Sequence, residues 1–168
     1  APGYVDHPPL SVVVLAVARA LIGDSRFALR LTPALLGAAT VILVGWMARM
    51  LGGGRWAMAL AMTGALVAPE YLSLDHFYSM NAFAIFFWAL AAALVIRLVL
   101  RETTGGWCAL GVVLGLGLMN KVSVLWLGAG LLVGILATPL RRSLKRPGPW
   151  LAGLIAGGMF TPYVAWEV

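Results

Sequence analysis

The segment Tyr4-Val5-Asp6-His7-Pro8-Pro9-Leu10 sets a carboxylate beside an imidazole and follows both with two prolines. Proline locks its own backbone and disfavours helix in the residue before it, so His7 is held extended where a helix begins. Such a pair can be aimed at a substrate, or it can cap the helix, whose dipole Asp6 complements. A second Asp-His pair lies in the run Glu70-Tyr71-Leu72-Ser73-Leu74-Asp75-His76-Phe77-Tyr78-Ser79-Met80-Asn81. Aromatic faces cover a sugar ring and carboxylates accept from its hydroxyls, so Asp75, His76, Tyr78 and Asn81 suit a carbohydrate site. Asn81 can equally be the N-cap of the helix that follows. Lys121 is a lone base in Gly-Leu-Met-Asn-Lys, where it either meets a phosphate at headgroup level or snorkels to the surface. Asp6, His7 and His76 could hold a divalent metal, but their separation gives no ligand spacing to test. No P-loop, GxGxxG or HExxH pattern is present.

The elements that must position these groups are apolar. The chain has 168 residues, is 62% hydrophobic and 11% charged, and has a mean hydropathy of +0.96. Soluble domains carry about a quarter charged residues, so this is an integral membrane protein. Its apolar stretches have the length that crosses about 30 Å of hydrocarbon as helix, and the short alternating segments of a barrel are missing. The fold class is therefore an all-α transmembrane bundle. Residues 1–26 form an outer juxtamembrane segment, with an interfacial helix over Leu10 to Ile22 that is too short to span. Residues 27–168 hold about six spans, near 31–50, 56–72, 82–100, 107–119, 122–139 and 150–166. Three Gly-xxx-Gly pairs, Gly111/Gly115, Gly130/Gly134 and Gly153/Gly157, read as close helix packing. Cys108 is the single cysteine, in an apolar stretch, and reads as a packed thiol.

Charge gives these spans an orientation. Arg49, Arg55, Arg97, Arg101, Arg141, Arg142, Lys145 and Arg146 occupy alternate gaps with one acid, Glu102. The other gaps and the ends hold Asp6, Asp24, Glu70, Asp75 and Glu167 against Arg19, Arg26, Arg30 and Lys121. The positive-inside rule makes the first set cytoplasmic, so both Asp-His pairs and Lys121 face outward. A net charge of +6 then reports topology and anionic headgroups, and nucleic acid is not an expected partner.

The motifs GYVDHPPL, ALRLTPALLGAAT, YSMNAFAIFFWALA, GLGLMNKVSVLWLG and FTPYVAWE, in this order, resemble polytopic glycosyltransferases of the GT-C fold. The similarity is to the protein O-mannosyltransferase and aminoarabinose transferase group, glycosyltransferase family 39, and covers nearly the whole chain. It implies a membrane enzyme that takes a sugar from a polyprenyl-phosphate donor and transfers it, outside the cytoplasm, to a hydroxyl of a lipid, glycan or protein acceptor. A bacterial plasma membrane with a periplasm-facing site is the expected setting. His7 stands where the family commonly has Lys, and Asn81 near a common Asp, so an amide replaces a potential base. Lys121 matches a basic position suited to lipid phosphate. The resemblance also implies that the acidic catalytic motif lies upstream of Ala1, making the chain a partial module not expected to turn over alone. The alternative is a transporter or channel subunit. Those place polar groups or broken helices at mid-membrane, whereas here the polar residues gather at one surface.

Overall fold

The computed structural model describes residues 8–74 and 77–167. Among these residues there are eight α-helices and one 3-10 helix, and no strand. The first helix, α1, runs Leu10–Ile22, the residues the sequence assigns to it, from Pro9 at its N-cap to Gly23 at φ 88°. Next, α2 (Arg26–Met50) starts earlier than the expected Leu31 because the Ser25 hydroxyl caps it, accepting from the Ala28 amide at 3.2 Å. It passes through Pro33, whose ring is fully buried and whose missing N–H leaves the Leu29 carbonyl on an exposed turn.

The Gly52-Gly53-Gly54 turn, with Gly52 at φ 92°, reverses the chain into α3 (Arg55–Val67). The expected second span, 56–72, does not continue as one helix. Ala68 is extended, as the residue before a proline prefers, and Pro69 opens the separate six-residue helix α4 (Pro69–Leu74). Thirteen residues rise roughly 20 Å, short of a hydrocarbon core. Then come α5 (Met80–Leu100), α6 (Thr104–Leu118) and α7 (Val124–Ala137). Gly105 and Gly106, ahead of the expected span start near 107, lie inside the first turn of α6, because the Thr103 hydroxyl caps it by accepting from the Gly106 amide. After α7 the chain bends by 102° into the 3-10 helix Pro139–Lys145, and α8 (Pro147–Glu167) completes the bundle.

By length and composition α2 and α5 can each cross a membrane, and the bent pair of α7 and the 3-10 helix adds a third candidate. The six expected spans correspond to helical segments, but α3 and α6 are shorter than a full crossing, as is α1. Phe83, Phe87, Ala91, Leu94 and Leu98 recur at helical spacing on one face of α5 and pack on Trp107, Leu110 and Val113 of α6 and Ala152 of α8. Many large apolar side chains, Trp126, Trp56 and Leu60 among them, lie outside this core, as befits a surface solvated by lipid. The closest helix pair is α6 with α8. A Cβ on Gly111 would stand 2.6 Å from the Ala152 carbonyl oxygen, and one on Gly115 would meet Met159 and Ala156. That pair packs helices as expected. Gly130, Gly134, Gly153 and Gly157 do not, since a Cβ on any of them would meet nothing within 4 Å.

Candidate functional site

The start of α1, the entrance of α5 and the α6–α7 turn meet at one end of the bundle. The Leu10 amide donates to the Met119 carbonyl at 2.9 Å, and the Tyr78 hydroxyl donates to the Ser11 carbonyl at 2.5 Å, so the start of α1 is tied to both the α5 entrance and the α6–α7 turn. Asn120 is fully buried and its Nδ2 donates to the Met80 carbonyl at 2.9 Å. These bonds stitch three sequence-distant segments into one platform.

On that platform Lys121 Nζ donates to Asn81 Oδ1 at 2.8 Å. Asn81 is therefore not the N-cap of α5; Ser79 takes that place, accepting from the Asn81 amide at 3.2 Å and leaving the Asn81 side chain free to reach Lys121. A cation held by a neutral amide keeps its whole charge for another partner, and Lys121 has no carboxylate partner among the described residues. Burial pushes the Tyr78 phenol up to about 12, which keeps it a neutral donor.

Lys121 and Asn81 border a cleft of about 720 Å³ that is also lined by Glu70, Tyr71, Trp88 and Ser123. A carboxylate, a phenol, an indole face and an ammonium converging on one concavity can grip a polyol ring and a phosphate together. The sequence reading did not single out Trp88, although its place on one face of α5 with Asn81 and Ile85 at helical spacing is the signal that could have found it. Glu70 and Tyr71 reach the cleft only because Pro69 breaks the chain into α4. Arg26 and Arg30, cations of the same charge group as Lys121, are exposed at the start of α2 and do not line the cleft. Asp6, His7, Asp75 and His76 lie outside the described residues. Among the described residues no group of three potential ligands could hold a metal; the candidates Asp6, His7 and His76 are not among them.

At the other end of α5 the gaps holding Glu102 and Arg146 meet. Arg146 Nη1 pairs with Glu102 Oε2 at 3.0 Å, and Trp107 Nε1 donates to Glu102 Oε1 at 3.3 Å. The Ser143 hydroxyl, the Trp107 indole and the Arg146 charge hold the Glu102 carboxyl below its usual range despite partial burial.

The described residues form an all-α bundle of apolar helices, with a cleft at one end to which Lys121, Asn81, Glu70 and Tyr71 bring polar groups. Residues 6–166 match the dolichyl-phosphate-mannose-protein mannosyltransferase family, and the chain belongs to that family of membrane glycosyltransferases. No curated protein and no solved structure shows significant similarity to the chain.

Proposed function

We propose that the cleft beside Lys121 binds a sugar carried on polyprenyl phosphate, at the extracytoplasmic face of a bacterial plasma membrane. The sugar passes to a hydroxyl of a lipid, glycan or protein acceptor. The observation that carries this reading is the Lys121–Asn81 contact: an ammonium without a carboxylate partner among the described residues, bordering a cleft that also offers Glu70, Tyr71 and Trp88. Lys121 meets the phosphate, where positive charge stabilises the departing oxyanion. Tyr71 and Trp88 cover the sugar, Asn81 orients Lys121, and Tyr78, outside the cleft lining, ties the platform to α1 through Ser11.

The reaction is inverting transfer. A carboxylate takes the proton of the acceptor hydroxyl, the oxygen attacks the anomeric carbon, and the bond from that carbon to the phosphate oxygen breaks, leaving polyprenyl phosphate. Glu70 is the carboxylate of the described residues that lines the cleft; Asp6, His7, Asp75 and His76 are the remaining candidates for sugar, acceptor or a divalent metal. The apolar face of α1, with Val13, Val17 and Leu21 exposed, supports an interfacial helix beside the cleft.

In the membrane-reconstituted protein, Lys121→Ala weakens lipid-donor affinity roughly 10- to 100-fold, the worth of one hydrogen bond to a charged group. Unchanged donor affinity would reject the phosphate role.

A further inference from the structure

We propose that the end of the bundle opposite Lys121 holds an anionic phospholipid of the surrounding bilayer, with its phosphate against Arg142 and Arg146 and an acyl chain along Gly130 and Gly134. The seat is a groove of about 700 Å³ among α5, α6 and α7, walled by apolar side chains such as Val95, Leu98, Leu131 and Ile135. Its breadth comes from two glycines. Gly130 and Gly134 lie one helical turn apart on α7, and a Cβ on either would enter empty space. At Gly111 the same spacing brings the Ala152 backbone into contact. On α7 it leaves a channel, and methylene chains fill apolar channels.

The mouth of the groove is cationic. The 102° bend after α7 turns the 3-10 helix across it, bringing Arg142 and Ser143 to its rim, where Arg146 and Glu102 also stand. Trp150 Nε1 donates to the Leu144 carbonyl at 2.9 Å and fixes this helix to α8. Glu102 neutralises Arg146 in part and holds it in place. Arg142 is exposed and has no ion pair among the described residues, and Arg141 and Lys145 beside it add to the field. Two guanidiniums against one carboxylate, above an apolar channel, are complementary to a lipid phosphate with its chain attached; a free phosphate would use only the rim. The occupant is a bilayer lipid and not the sugar donor, because α5 puts 21 residues, roughly 30 Å, between this mouth and the Asn81 end.

The test uses the purified protein, delipidated in mild detergent, with phosphatidylglycerol or phosphatidylcholine added back and bound lipid read by native mass spectrometry. The wild type is expected to retain phosphatidylglycerol roughly tenfold better than phosphatidylcholine. Arg142→Gln, on an exposed side chain, removes that preference, and Gly134→Leu, which fills the channel, removes binding of both. Lys121→Ala leaves the preference intact, which separates this site from the transfer cleft. Equal retention by wild type and Arg142→Gln overturns the proposal. So does recovery of a polyprenyl phosphate in place of phospholipid, or a cross-link from residue 134 that captures a second copy or another segment of the chain.

Discussion

Lys121 and Asn81 are forty positions apart, and what joins them is a single hydrogen bond of 2.8 Å whose acceptor carries no charge. An Asp at position 81 would have neutralised the ammonium; the amide orients it and leaves it available to an anion. The same platform contains a group that reports on its integrity. Burial raises the Tyr78 phenol from 10.0 to about 12, so folding favours the neutral form. The stabilisation this represents is full below pH 10 and is lost as pH climbs through about 12. Thermal midpoints followed from pH 9 to 12 should fall more for the wild type than for Tyr78→Phe, and parallel curves would contradict the buried phenol. The sequence made Tyr78, Asn81 and Lys121 visible as candidates by residue type alone. It could not show which of Ser79 and Asn81 caps α5, since both are good caps two residues apart, and only the reach of Lys121 across the turn decides it.

At the scale of helices, glycine spacing was legible as a pattern but not as a partner. Three Gly-xxx-Gly pairs look alike in the sequence, yet Gly111 and Gly115 touch α8, whereas Gly130/Gly134 and Gly153/Gly157 border open grooves. The difference lies in which helix the topology delivers to each face, information that a local period does not contain. Gly111→Ala should therefore destabilise the protein by about 1–3 kcal/mol, because its methyl meets backbone that cannot rotate away. Gly153→Ala should cost nothing measurable, and similar midpoints for the two variants would refute the packing of α6 on α8. Pro69 teaches a related lesson. Hydropathy ran continuously across it and suggested one span, but the extended residue that must precede a proline ended α3 at Val67 and freed Glu70 and Tyr71 to turn toward the cleft.

At the scale of the molecule, the start of α1 meets the α5 entrance and the α6–α7 turn, the Glu102 and Arg146 gaps meet at the other end of α5, and Val44 and Met47, close before Arg49, line the Lys121 cleft. Leu10 bonds to Met119 and Tyr78 to Ser11 at the Lys121 end, while Arg146 pairs with Glu102 at the other. The meeting of the Glu102 and Arg146 gaps was legible because charge is read directly from sequence and its cost in lipid is large. Crossing lengths were less so, since α3 ends at Val67, short of the stretch to 72 that hydropathy outlined. The central claim is that the Lys121 end faces away from the cytoplasm. With Cys108 replaced by Ser, a cysteine at Ser123 and, separately, one at Lys145 are exposed in intact cells to a membrane-impermeant thiol reagent. The account predicts labelling at 123 and protection at 145 until the membrane is permeabilised. Labelling at 145 with protection at 123 would place the cleft in the cytoplasm and contradict it.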